Sequence, residues 1–133
     1  MKKIGTLNTH LSHAIARMGH MDRLVVCDSG LPIPRESQVI DLALTRNVPR
    51  FIETLRVILE ELQVEGAYIA TEMVERSNGV YSELTSLLNG VEIRQVPHDE
   101  FKQLTEESGN VVFVRTGEAT PFANVMLVAG VTF

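Results

Sequence analysis

Short apolar runs rich in strand formers alternate with amphipathic helical stretches along nearly the whole chain. That alternation is the strongest constraint on the fold. Each helix must bury its stripe and each strand its faces, and a chain that repeats the two in turn builds an α/β domain. The clearest helix is expected over Pro49 to Gln63. There Phe51, Ile52, Leu55, Ile58, Leu59 and Leu62 recur at i, i+1, i+4, i+7, i+8 and i+11, and proline is tolerated in a first turn. Gly66 is expected to end it, with Ala67 to Ala70 a buried strand. An earlier helix is expected from Asn8 or Thr9, either of which can cap, to Gly19, with Leu11, Ala14, Ile15 and Met18 on one side. Leu24-Val25-Val26-Cys27 reads as a strand ending at Asp28. Ser29 to Pro34 cannot be regular, because two prolines and a glycine break it. Val39 to Leu44 reads either way. Val80 to Leu88 is expected as a helix, and Val91 to Val96 as a strand with one wet face. His98 to Glu107 is expected as a short helix with Phe101 and Leu104 inward and Asp99-Glu100 near its positive end. Val111 to Val114 and Asn124 to Val128 read as strands around the turn-rich Gly117 to Pro121. The apolar tail Ala129 to Phe133 is expected to dock.

The chain has 133 residues, which makes one domain. So few residues leave little material for a deep cleft inside one subunit. With 12 Lys plus Arg against 17 Asp plus Glu, the net charge is −5. That balance argues against nucleic acid or an anionic membrane, both of which call for a basic patch. Seven aromatic residues (five Phe, two Tyr) form no stacking platform. Cys27 is the only cysteine, so neither an intrachain disulfide nor a cysteine-rich zinc site is expected. In an apolar run, it reads as an inert buried thiol. The start Met1-Lys2-Lys3-Ile4 lacks the apolar run of a signal peptide, and polar residues interrupt every apolar stretch before spanning length. A cytoplasmic protein is the expectation.

The common nucleotide and nucleophile signatures are missing: no G-x-G-x-x-G, no G-x-x-x-x-G-K, no G-x-S-x-G. No cofactor is expected. His10 and His13, three apart, read as a solvated helix face in want of a third metal ligand. His20 follows Gly19 and precedes the strand that ends at Asp28. The two would converge if both lay on one edge of a sheet, giving an imidazole oriented by a carboxylate for acid/base work. On spacing alone, a loop histidine and a turn-starting aspartate is the better reading. His98, after Pro97, reads as a capping or surface residue, with Lys102 one turn on. Phe122-Ala123-Asn124 offers a ring face and an amide, the groups a sugar site uses, although a phenylalanine is ordinarily a core residue.

Gly19-His20-Met21-Asp22-Arg23-Leu24-Val25-Val26-Cys27-Asp28-Ser29-Gly30-Leu31-Pro32-Ile33-Pro34 resembles the D-ribose pyranase family. So do Pro97-His98-Asp99-Glu100-Phe101-Lys102, Pro121-Phe122-Ala123-Asn124-Val125 and Ala129-Gly130-Val131-Thr132-Phe133. Asn8, Ile40 to Leu44 and Gly66-Ala67 also fit, so the likeness covers essentially the whole chain; Glu72 to Asn89 is its least family-like part. The resemblance implies a cytoplasmic mutarotase that interconverts the pyranose and furanose rings of D-ribose and so helps supply the form a ribokinase uses. With it goes a single three-layer α/β/α domain over residues 1–133, with a mixed, mostly parallel sheet of about six strands. Carried over, His20 is the proton donor, and Asp28, His98, Lys102, Phe122, Ala123 and Asn124 bind substrate. Phe122 lacks a hydroxyl, so there the ring face or backbone must serve. Neither metal nor cofactor is implied. The implied assembly is a homodecamer of two pentameric rings with sites between subunits: His20, Asp28, His98 and Lys102 from one chain, Phe122 to Asn124 from its neighbour. The alternatives are an L-fucose-type mutarotase, which the Asp-Ser-Gly-Leu-Pro-Ile-Pro run after Cys27 disfavours, a non-catalytic sugar-binding accessory module, and a metal enzyme using His10, His13 and His20.

Overall fold

The computed structural model describes residues 1–107 and 109–133. Five helices and six strands follow in the order α1 (Thr9–Arg17), β1 (Arg23–Cys27), β2 (Gln38–Asp41), α2 (Phe51–Leu59), β3 (Val64–Ala70), α3 (Thr71–Arg76), α4 (Asn78–Leu87), β4 (Glu92–Val96), α5 (His98–Glu106), β5 (Val111–Arg115) and β6 (Val125–Ala129). The strands form one sheet ordered β2-β5-β1-β6-β3-β4. Neighbours pair in parallel except β6, which runs antiparallel to both β1 and β3. The period-2 alternation of β1 sorts the core. Leu24 and Val26 face the side covered by α1, α2, α3 and α4, packing with Leu11, Leu55, Met73 and Leu84. Val25 and Cys27 face the other side, where Phe101 of α5 and Leu31 of the following loop cover Phe113 and Met126. The three-layer α/β/α order with a mixed, mostly parallel sheet is therefore what the chain adopts, its second helical layer being α5 alone.

Several local expectations need correction. The α2 helix is shorter than its apolar stripe, because Arg50 is its N-cap and the chain turns out at Glu60 toward β3. Gly66 does not end it; it lies inside β3, where the pairing with β6 is irregular between Val64 and Gly66. Val39 to Leu44 resolves into the edge strand β2 and a loop. The α3 helix was not anticipated: at six residues, with no side-chain cap, it carries no periodic signal. The tail Val131 to Phe133 is exposed in the single chain rather than docked. Cys27 is fully buried, and burial, with Asp28 beside it, pushes its thiol up to about 12, so it is the inert core residue expected.

Candidate functional site

Parallel strands put their carboxyl ends on one edge of the sheet, and antiparallel β6 puts its amino end there. Asp28 follows β1, His98 follows β4, Glu118 follows β5 and Phe122-Ala123-Asn124 leads into β6. All of them arrive at that edge, where open α/β sheets bind ligands. A cleft of about 300 Å3 opens there, lined by Asp28 to Pro32, His98, Glu118 to Phe122 and Asn124. That is the lower end of ligand-pocket sizes and suits a small molecule. No Lys or Arg is among its lining residues, which favours a neutral ligand over an anion. A larger depression of about 460 Å3 lies at the opposite edge, lined by Arg17, Asp22, Arg23, Glu107 and Asn110 among others. Among the described residues its lining has neither an aromatic ring nor a histidine, and two pairs of its polar groups engage each other, Asn110 with Asp22 at 3.0 Å and Arg23 with Glu107 at 3.7 Å.

Asp28 and Asn124 hold each other by two contacts. The Asp28 amide donates to Asn124 Oδ1 at 2.9 Å, and Asn124 Nδ2 donates to Asp28 Oδ2 at 3.1 Å. Asp28 Oδ1 accepts the Gly30 amide at 2.9 Å. Burial pushes the Asp28 carboxyl above its ordinary range, against the hydrogen bonds from Gly30, Asn124 and Leu31 and the charge of His98. The imidazole of His98 meets the Phe122 ring edge-to-face at 5.0 Å and stacks on Phe101 at 6.4 Å. The His98 amide donates to Glu72 Oε2 at 2.9 Å, which fixes the start of α5. His98 Nδ1 is buried and has no hydrogen-bond partner among the described residues. Phe122 has φ +62°, the left-handed region that a bulky residue enters only at a cost, a kind of strain that gathers at ligand sites. Ser77 Oγ donates to Pro121 O at 2.6 Å and Arg76 lies 5.7 Å from the Phe122 ring centre, so α3 braces that turn.

Glu118 is the functional-edge residue that sequence reasoning missed. Its carboxylate accepts the Phe51 amide at 3.1 Å, the Thr120 amide at 3.2 Å and the Thr120 hydroxyl at 2.8 Å, while its own carbonyl accepts Ser29 N at 2.9 Å. Burial raises its pKa, but these bonds outweigh that, and it stays below the ordinary range. One buried side chain thus ties the cleft wall to the start of α2. Its only sequence signal is an acid in a turn, which is too common to single out.

The structure brings together Asp28, His98, Phe122 and Asn124 in one subunit, with Ala123 fully buried beneath them. It does not bring His20. That residue precedes β1 and Asp28 follows it, so a strand of five residues, about 16 Å long, separates them. The convergence on one edge that their order left open does not occur within one chain, because residues at the two ends of one strand lie on opposite edges. The expected division of the site fails with it: Phe122 to Asn124 share a subunit with Asp28 and His98. Lys102 does not line the cleft; its amine holds Asp99 Oδ1 at 2.9 Å. His10 and His13 are exposed, and no cluster of three metal-binding side chains occurs among the described residues.

Among solved structures, the Bacillus subtilis protein RbsD complexed with D-ribose superposes with a TM-score of 0.93 at 42% identity, covering all of both chains. The fucose mutarotase of Streptococcus pneumoniae, in complex with L-fucose, shares the fold at a TM-score of 0.80 and 19% identity over all of both chains. The D-ribose pyranase of Coprothermobacter proteolyticus is 53% identical over 133 residues, and that of Vibrio vulnificus 50% over 141, each alignment covering both proteins completely. The pattern of the RbsD / FucU transport protein family matches residues 1–132. Matched by that family over nearly its whole length and 53% identical to a full-length relative, the chain belongs to the RbsD / FucU family.

Proposed function

We infer that the protein is a D-ribose pyranase, a cofactor-independent isomerase that exchanges the pyranose and furanose rings of D-ribose. The observation that carries this is the convergence of Asp28, His98, Phe122 and Asn124 around one small cleft with no Lys or Arg among its described lining residues. A carboxylate, an imidazole and a ring face match a neutral polyhydroxy ligand. The full-length likeness to proteins named D-ribose pyranase supports the choice of ribose. Opening the sugar ring moves one proton onto the ring oxygen and removes one from the anomeric hydroxyl, and reclosure on another hydroxyl reverses both. An imidazole near neutrality does this without metal or redox help. His20 is the proposed acid/base. Asp28, His98, Phe122, Ala123 and Asn124 hold the sugar, and half-exposed Lys102, one turn along α5 from His98, is the proposed outer contact.

Since His20 stands a strand's length from Asp28 in one chain, the site is complete only between subunits, with His20 of a neighbouring copy facing the cleft. A homodecamer of two pentameric rings is the proposed assembly. The exposed apolar side chains Ile4, Leu7, Met21, Val131 and Phe133 support a covered surface. No helix among the described residues is long and apolar enough to cross a membrane, and a cytoplasmic location is proposed with the role. The test is ring-form exchange of D-ribose followed by saturation-transfer NMR, beside L-fucose. Wild type is expected to accelerate ribose exchange, and a folded His20→Ala to lose about 100-fold or more. Wild-type exchange in that variant overturns the role of His20. Faster exchange of L-fucose than of ribose transfers the chain to the fucose reading, and ribose binding without exchange makes it a sugar-binding module.

A further inference from the structure

Three backbone features meet at His20, all away from the cleft of the same chain. The first is the turn Gly19-His20-Met21-Asp22, closed by Asp22 N donating to Gly19 O at 3.2 Å and by the Gly19 amide donating to Asp22 Oδ2 at 2.8 Å. Met21, its third residue, has φ +71°, a position glycine normally takes. The turn is tied to the end of β6 by Met21 N to Ala129 O at 2.9 Å and Ala129 N to Asp22 O at 2.9 Å. The second is in β3. Val64 pairs with Ala129 and Gly66 with Val128, so two steps on β3 oppose one on β6, and Glu65 is the extra residue of a β-bulge. Bulges re-aim side chains beside functional sites. The third is Gly130. A Cβ there would lie 3.0 Å from Glu65 Cβ and 3.4 Å from Glu65 Oε2, so a side chain at 130 would crowd the acid.

The product of the three is one contact: His20 Nε2 lies 3.0 Å from each carboxylate oxygen of Glu65. The two side chains are 53% and 40% exposed, and surface pairs of this kind add little to stability. Stability therefore does not account for a bulge, a strained turn and a bare glycine converging on it. A carboxylate only accepts, so the ring nitrogen facing it carries the hydrogen. That fixes the neutral imidazole as its Nε2–H tautomer and leaves Nδ1 with the free lone pair.

We propose that Glu65 is the positioning residue for His20: by holding Nε2–H it makes Nδ1 the atom that exchanges protons with the sugar. This rests on the reading of His20 as the acid/base. The proton taken from the anomeric hydroxyl arrives at Nδ1 and the same site returns one to the ring oxygen as the C1–O bond breaks. The imidazole ends as it began. Glu65 keeps its bond to Nε2–H throughout and stabilises the imidazolium while it exists.

The test uses the full-length protein with 15N-labelled histidine and reads the His20 tautomer from two-bond proton–nitrogen couplings, together with kcat and KM for ribose exchange. Wild type is expected to show Nε2–H with a bare Nδ1. Glu65→Ala is expected to fall back toward the tautomer mixture of a free imidazole and to lose about 10- to 100-fold in kcat with KM little changed, the scale on which outer-shell partners of functional histidines act at metal sites. Glu65→Gln keeps an acceptor without the charge and is expected to restore the tautomer and part of kcat. An unchanged tautomer and unchanged kcat in Glu65→Ala overturn the proposal while leaving His20 in place. Full activity in His20→Ala overturns the acid/base reading first and the role of Glu65 with it, so the two failures are told apart.

Discussion

Asp28 and Asn124 stand 96 residues apart in sequence, yet each satisfies the other's backbone or side chain. The sequence shows that both residue types are present near a strand end. It cannot show that the amide of Asn124 spends itself on Asp28, because that depends on β6 lying next to β1 in the sheet. The charge state of Asp28 is equally a product of the fold. Burial raises its pKa above the ordinary 3.8, against the opposing hydrogen bonds from Gly30, Asn124 and Leu31. A carboxyl raised in the folded state binds its proton more tightly there than in the unfolded chain. Ionisation of Asp28 therefore opposes folding, and its contribution to stability is present below the unfolded pKa and lost as pH rises through the folded one. In the role proposed for Asp28, sugar binding runs the other way, since the carboxylate would accept from sugar hydroxyls. Ribose affinity is expected to fall on the acid side with a midpoint above 3.8, measured by NMR titration against pH, and Asp28→Asn is expected to remove that limb. A midpoint at or below 3.8 in the wild type would remove Asp28 from the binding set.

The loop between β5 and β6 shows why elements cannot be judged one at a time. Gly117 passes so close to the Thr45 to Val48 turn that a Cβ would collide with the carbonyl oxygens of both Thr45 and Val48. Both neighbours are backbone, so neither can swing aside. Gly117→Ala is expected to lower stability by about 1–3 kcal/mol, the scale of overpacking, read as a lower urea midpoint at unchanged slope. It is also expected to weaken ribose binding, because Glu118 and Phe122 ride on the same loop. A wild-type midpoint would mean that the loop does not make this approach. The helices and strands themselves were largely legible, because apolar periodicity depends on local sequence: α1, α4, α5 and five of the six strands lie where it places them, within two residues at nearly every end. What periodicity missed was set from outside the segment. The α2 helix starts where Glu118 accepts its Phe51 amide, and Gly66 sits in a strand because β6 pairs across it. The α3 helix exists because Met73 has a core to enter.

At the scale of the molecule, a short chain was expected to lack a deep private cleft, and the cleft it builds is shallow and lacks His20. The structure puts Asp28, His98 and Phe122 to Asn124 of one chain at one sheet edge and His20 at the other, a placement the motifs alone do not carry, since strand direction is a property of the whole sheet. Oligomers with cyclic symmetry resolve this kind of separation, because each copy presents one edge to its neighbour's other edge. Exposed Met21 lies in the His20 turn, and the exposed tail Val131 to Phe133 follows Ala129, which is bonded to that turn, so such a contact would cover both. A site shared in this way has a signature that no single-chain site has. His20→Ala and Asp28→Asn are each expected to be inactive alone. If subunits of the two are unfolded, mixed in equal amounts and reassembled, a site takes its His20 from one chain and its Asp28 from another. Random mixing then gives about a quarter of sites with both groups intact. Ribose exchange is expected to return to about that fraction of the wild-type rate, while the same procedure on either variant alone returns nothing. If every site used its own chain's His20 and Asp28, no mixture would contain a working site, and absence of recovery in assembled, folded mixtures would place the whole reaction within one subunit.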